Sequence, residues 1–155
     1  MSTFDADSFL NQSVEGALDT KYPVVPADKY VAQVDKVSTS DGIIGKGDNV
    51  GKKWVSLNIH WNIMDEELKR EMERDKVTVV QRIFLDLNDD ATIAVGKGKN
   101  VKLGQVRDAL GQNDPSQPWS PNFLIGQMAE IDVVVTANDQ GDERNDIRGV
   151  AEYQG

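Results

Sequence analysis

The side chains with binding chemistry in this sequence are aromatic rings set among cations. Trp54 follows Lys52 and Lys53, and Phe84 stands two residues after Arg82. Flat rings offer nucleobases a stacking surface, and cations follow a phosphate backbone. One stacked base contributes about 1–3 kcal/mol, so two platforms would matter. Other cations recur in short runs. Lys46 lies in a glycine-punctuated stretch, and Lys97, Lys99 and Lys102 lie in Gly96-Lys97-Gly98-Lys99-Asn100-Val101-Lys102. Arg144 and Arg148 stand further along, and His60 is the one histidine. With one His and no Cys, His-rich and thiolate metal sites are excluded, and a His-based triad is a poor fit. Asp139, Asp142, Glu143 and Asp146 miss the spacing of an EF-hand. The 42–53 stretch fails as a Walker A loop, because three residues rather than four separate Gly47 from Gly51, and Lys53 follows Lys52. No nucleophile–base pair stands out. The expectation is a non-catalytic protein with no cofactor and no metal.

The chain has 155 residues and a net charge of −9. That favours solubility and opposes unspecific adhesion to polyanions. Placement matters more than the sum. No acid lies between Asp90 and Asp108, where Lys97, Lys99, Lys102 and Arg107 fall. Acids gather instead in 1–28, 65–75 and 139–146. A basic groove can therefore coexist with an acidic chain, although lysines on a loop also read simply as solvated. Hydrophobic residues at 39% and charged residues at 28% suit one soluble domain. No apolar run approaches the ~20 residues that cross a bilayer, and no signal-peptide pattern opens the sequence. The lack of cysteine is compatible with a reducing compartment without establishing one. A cytoplasmic location away from membranes is the expectation.

These residues need elements to position them. From Trp54 to Ile63 the sequence alternates: Val55, Leu57, Ile59, Trp61 and Ile63 on one side, Trp54, Ser56, Asn58, His60 and Asn62 on the other. A period of two predicts a strand with one buried and one open face. An earlier strand is expected over 29–38, with Tyr30, Ala32 and Val34 on one face and Val31 and Val37 on the other. A glycine-rich loop over 38–52 would join the two. Residues 64–75 read as a short solvated helix interrupting a hairpin, through Met64, Leu68 and Met72 and mixed charges at helical spacing. The third strand spans 76–87, with Val77, Val79, Ile83, Leu85 and Leu87 on one face, Gln81 being the exception, and Arg82 and Phe84 on the other. A helix over 100–110 follows, with Asn100 as N-cap and Gly111 as its stop. After an irregular segment around Trp119 come a fourth strand over 127–137 and a fifth over 146–153.

Residues 1–27 read as an arm ahead of a domain spanning 28–155. Phe9, Leu10, Val14, Ala17 and Leu18 recur at helical spacing, and Pro23 and Pro26 end any helix. The plain expectation is a helix lying on the domain surface. The sharper one is an oligomer or partner contact.

Three strands, a helix and two strands are the element order of the OB-fold, a five-stranded Greek-key barrel. A mainly β, OB-fold-like barrel with one helix between strands 3 and 4 is therefore expected, together with the arm and the helical insert. A β-sandwich or a helix-covered meander would leave similar signals. In an OB-fold the ligand face lies on strands 2 and 3, flanked by the first–second and fourth–fifth loops. That face would carry Trp54, Ser56, Asn58, His60, Arg82 and Phe84, with Lys46, Lys52, Lys53, Arg144 and Arg148 on the flanks. The plain reading keeps Trp54 under the glycine loop and Phe84 covered by the arm or helix.

Several stretches together resemble phage-encoded OB-fold single-stranded DNA-binding proteins. They are Phe4-Asp5-Ala6-Asp7-Ser8-Phe9-Leu10, Pro23-Val24-Val25-Pro26-Ala27-Asp28-Lys29-Tyr30, Trp54-Val55-Ser56-Leu57-Asn58-Ile59 and Gly96-Lys97-Gly98-Lys99-Asn100-Val101-Lys102-Leu103-Gly104. Ala109-Leu110-Gly111, Leu124-Ile125-Gly126-Gln127 and Val150-Ala151-Glu152-Tyr153 complete the pattern. The resemblance implies sequence-tolerant binding of single-stranded DNA without catalysis, in the host cytoplasm. It further implies replication or recombination proteins as partners, and a homo-oligomer is compatible with it. Many such proteins end in an acidic tail, whereas this sequence ends Tyr153-Gln154-Gly155. The rival expectation is a virion structural or assembly protein that uses the barrel for protein contacts.

Overall fold

The computed structural model describes residues 3–154. The alternating stretch forms strand β2 over Lys53–Ile63. Leu57, Ile59, Trp61 and Ile63 are buried, and Val55 is half-buried. Strand β1, Asp28–Ile43, pairs antiparallel with β2 from Ala32 opposite Ile63 to Ile43 opposite Lys53. Strand β3, Thr78–Phe84, lies on the other side of β2. Strand β4, Met128–Ala137, pairs with β1, and strand β5, Glu143–Glu152, pairs with β4. The result is one antiparallel sheet in the order β3-β2-β1-β4-β5. Short helices accompany it: α1 at Ala6–Leu10, α2 at Glu66–Glu71 and α3 at Val101–Ala109. No helix among the described residues is long and apolar enough to cross a membrane.

The core lies on the inner face of this sheet, closed by Leu103 and Val106 of α3 and by Leu68 of α2. Asp65 starts α2 by accepting a hydrogen bond from the Leu68 backbone N–H at 3.1 Å. As expected, α2 interrupts the β2–β3 hairpin and shows water most of its charged face. Gln81, the polar exception on the inner face of β3, has a partner. The buried Trp61 indole N–H donates to its Oε1 at 3.0 Å, as a buried indole requires.

Two bulges explain why the flanking strands read less cleanly than β2. In β1, Val34 faces Trp61 and Lys36 faces His60, so Asp35 is the extra residue, and it reaches out to Lys76 at 2.7 Å. The extra residue shifts the phase, and Val37 packs against the same core as Tyr30, Ala32 and Val34 rather than on the opposite face. In β5, Ile147 faces Val133 and Gly149 faces Asp132, which leaves Arg148 bulged. Ile147 and Val150, three apart, then both reach the core. β1 also runs on to Ile43, where a loop from residue 38 was expected. Its outer end pairs fully with β2 but buries no large side chain, so no apolar alternation marks it.

The arm departs from its plain expectation. Helix α1 is one short piece, begun by Asp5, which accepts from the Asp7 N–H at 3.3 Å and the Ser8 hydroxyl at 2.9 Å. Every residue from 3 to 23 is exposed, so α1 does not lie on the sheet. Among the described residues the arm attaches only near its end. The Val25 backbone N–H donates to Asn145 Oδ1 and its carbonyl accepts from Asn145 Nδ2, each at 2.8 Å. The Arg74 guanidinium lies 5.9 Å from the Tyr22 ring centroid.

Trp61→Ala should cost about 3–5 kcal/mol by urea unfolding, the range for emptying a large buried aromatic site. Trp61→Phe should cost less, about 1–3 kcal/mol, because it chiefly strands Gln81. A loss below about 1 kcal/mol in Trp61→Ala, typical of a surface site, would contradict this core.

Candidate nucleic-acid interface

The pairing register decides which outer-face residues become neighbours, because residues directly opposite on antiparallel strands share a face. Trp54 lies opposite Gly42 of β1. Ser56 lies between Ser40 of β1 and Phe84 of β3, and Asn58 lies between Ser38 and Arg82. His60 lies between Lys36 and Val80. Trp54 and Phe84 meet edge to face, their centroids 5.6 Å apart and their planes at 74°. Phe84 is 65% exposed, covered by neither the arm nor a helix. Trp54 is half-buried because its ring lies over Gly42, where an added Cβ would come within 2.7 Å of the indole. Here glycine is needed for space.

The polar residues of this face form a closed floor rather than the open surface expected. Ser56 and Asn58 are buried. The Ser56 hydroxyl donates to Asn58 Oδ1 at 3.0 Å, and Asn58 Nδ2 donates to the Ser40 hydroxyl at 2.8 Å. His60 Nε2 and the Ser38 hydroxyl are 3.0 Å apart. Burial, then the Lys36 charge, holds the His60 pKa below its ordinary value, with Asp35 opposing. His60 is therefore neutral at pH 7 and acts there as a hydrogen-bonding group, not as a cation.

Arg82, Lys102 and Arg148, distant in sequence, line one cleft of ≈ 190 Å³ between β3, β5 and α3. Gln81, Gln105 and Asp146 share its wall. Arg82 and Lys102 form no ion pair among the described residues. Arg148 is held by Asp132, with Nη2 at 2.8 Å and Nε at 2.9 Å. Two guanidinium nitrogens thus meet one oxygen of a half-buried carboxylate, so the Arg148 charge is partly neutralised. Arg82 faces Asn58 across the strands and lies two residues from Phe84 on β3, so the aromatic pair and the cleft form one tract.

The remaining candidates are spread out. Lys46 and Lys52 sit in the β1–β2 hairpin tip beyond Gly42, unpaired among the described residues. Two backbone bonds pin that tip, Ile44 N–H to Lys52 O and Gly51 N–H to Ile44 O, each 2.8 Å. Lys53 is on the opposite face from Trp54 and pairs with Asp41 at 3.2 Å. Arg144 is 3.6 Å from Asp146 at the far end of β5. Lys97 is in the loop before α3, and Lys99 opens onto a different cavity beside Arg107 and Trp119. Asn100 orders this loop, but not by the side-chain cap expected of it. Its Nδ2 donates to the carbonyls of Asp86 and Ala94, each at 2.8 Å. Asp86 N–H donates to Asn100 Oδ1 at 2.7 Å, and Asn100 N–H donates to Asp86 Oδ2 at 2.9 Å.

Lys36, Ser38, Ser40 and Gly42 belong to the face and were not anticipated there. Their alternation of small or polar residues over 36–42 was the available signal for a longer β1. Among the described residues, no three His, Asp or Glu side chains gather as a metal site would need.

Gly42→Val should displace the Trp54 ring, shifting tryptophan emission to the red and changing the near-ultraviolet dichroism while the fold persists. Unchanged spectra would contradict the ring's placement over Gly42. His60 should titrate with a midpoint below about 6.5, its ordinary value. The folded state prefers neutral His60, so its contribution to stability is present above about pH 6.5 and lost as pH falls through the lower folded value. His60→Gln should remove that part of the pH slope, which urea midpoints measured across the window would reveal. No protein-family model and no curated protein matches this chain.

Proposed function

We propose that the chain binds single-stranded DNA, without catalysis and with little sequence preference. Bases stack on Trp54 and Phe84, and the phosphates run past Arg82 toward Lys102 and Arg148. The observation that carries this reading is the paired rings on a sheet face, with Phe84 open to solvent and, beside it, Arg82, which has no ion pair among the described residues. Stacking needs unpaired bases, so rings on a strand face favour a single strand over a duplex. Lys46 and Lys52, on the hairpin tip beyond Gly42, serve as a cationic edge. His60 and Asn58 supply polar contacts rather than charge. The reading gives Lys53, Lys97, Lys99 and Arg144 at most a peripheral part.

The fold proposed for this function is an OB-fold-type barrel. The sheet order, the helix between β3 and β4, and the cleft that the two edge strands share with α3 support it. We place the chain with the phage-encoded single-stranded DNA-binding proteins it resembles, working beside replication or recombination proteins in the host cytoplasm. A second reading, virion assembly through protein contacts, draws on the exposed apolar arm.

Anisotropy titrations with labelled oligo-dT, a duplex and an RNA of matched length, each at two salt concentrations, test the proposal. Oligo-dT should bind more tightly than the duplex, with affinity falling as salt rises. Trp54→Ala and Phe84→Ala should each weaken binding about 5- to 150-fold, the value of one stacked base. Arg82→Gln and Lys102→Gln should each lower the salt slope by about 1. Salt-indifferent affinity, or wild-type binding by Trp54→Ala, would overturn the reading.

A further inference from the structure

We infer that the N-terminal arm of one copy docks, through Phe4, Phe9 and Leu10, into the cavity beside Trp119 of a second copy. The arm is built as a ligand. Its Phe4 and Phe9 rings meet at 5.3 Å and form a knob ahead of and along α1. Phe4 is 73% exposed and Leu10 77% exposed, and the arm buries nothing in its own domain before Val24. A contiguous apolar surface on a chain otherwise rich in charge marks a contact site. Asp5, Asp7, Glu15 and Asp19 make the arm purely acidic up to Lys21.

The Trp119 cavity has the complementary chemistry. It measures ≈ 560 Å³ and is lined by Val95, Lys99, Val101, Arg107 and Trp119 among others. A neighbouring recess of ≈ 420 Å³ shares Trp119 and extends to Phe123. Val95 is 94% exposed, and Val101 and Phe123 are about half exposed. Arg107 lies over the Trp119 ring at 4.3 Å and donates to the Gln112 carbonyl, so a cation is fixed on the cavity wall. Neither Lys99 nor Arg107 meets a carboxylate among the described residues. Asp114, the one acid in the lining, is engaged by the Ser116 N–H and hydroxyl at 2.9 and 2.8 Å. An acidic apolar knob and a basic apolar cavity thus stand uncovered on the same chain. The arm's root at Val25 is tied to β5, and residues 11–20 can span up to about 35 Å when extended. Reciprocal exchange of arms closes a two-fold dimer. Trp54, Phe84 and Arg82 take no part, so this inference stands apart from the DNA reading.

Sedimentation velocity of the full chain from about 1 to about 100 µM, the range of modest protein affinities, tests it. Wild type should associate with rising concentration, less so in high salt. Phe4→Ala with Phe9→Ala should be monomeric throughout, and so should Val95→Asp; both sites are exposed, and circular dichroism verifies their folding. A mixture of these two variants should associate again, because one supplies an intact arm and the other an intact cavity. Lys99→Glu should weaken association, and adding Asp7→Lys should restore it. A monomeric wild type, association that survives loss of Phe4 and Phe9, or a mixture that stays monomeric would each overturn the inference.

Discussion

The antiparallel register of β2 against β1 and β3 is the constraint on which everything else in this molecule rests. The same alignment that stacks Leu57, Ile59, Trp61 and Ile63 into the core puts Trp54 over Gly42 and Ser56 beside Phe84. A slip of one residue would turn every side chain of β2 to the other face. Several buried groups oppose such a slip. Trp61 would lose Gln81 as its acceptor, and the Ser56–Asn58–Ser40 chain of hydrogen bonds would break. Polar groups stranded in this way cost about 1–3 kcal/mol each. The buried floor of the outer face thus fixes where the rings stand and leaves Phe84 open.

The second organising feature is the segregation of charge. A chain of net charge −9 gathers just over half of its acids on the arm, on the α2 insert and near the β4–β5 turn. Some carboxylates on the domain are engaged by cations: Asp35 by Lys76, Asp132 by Arg148 and Asp41 by Lys53. The Lys76 hydrogen bond holds Asp35 below the usual carboxylate range. Thr92 and Ser116 do the same for Asp90 and Asp114. On the β2–β3 side Arg82 and Lys102 line one cleft, and neither forms an ion pair among the described residues. An acidic protein can thereby present a local positive field while its net charge resists unspecific adhesion.

The parts of this fold legible in the sequence are those where burial on one face alone sets the pattern. β2 and β4 alternate cleanly and lie where expected, and α3 carries its Leu103–Val106 stripe between a glycine-rich loop and Gly111. The sequence hid features set by tertiary partners. Asp35 and Arg148 are ordinary charged residues, and only pairing across the sheet makes them bulges. The outer end of β1 pairs without burying anything large, so its Ser38, Ser40 and Gly42 read as a loop. Asn100 has the residue type and position of an N-cap, yet its side chain serves Asp86 and Ala94, which no local rule foretells. Trp54, Phe84 and Arg82 were legible as a group because all three sit at fixed phase on two neighbouring strands. Lys53 failed the same test, being one residue out of phase with Trp54. The gathering of Arg82 with Lys102 and Arg148 depends on how α3 and β5 meet β3, which spacing along the chain does not encode.

The central claim is that a single strand of DNA stacks on Trp54 and Phe84. The three tryptophans offer a direct reading, because their indole N–H groups sit in distinct settings. Trp61 donates to Gln81 in the core, Trp119 donates to Gln112 beside Arg107, and Trp54 lies over Gly42 at the rings. In a heteronuclear correlation spectrum titrated with oligo-dT, the Trp54 indole signal should move or broaden while that of Trp119 stays in place. An unmoved Trp54 signal at saturating oligonucleotide, or a response at Trp119 instead, would contradict the account.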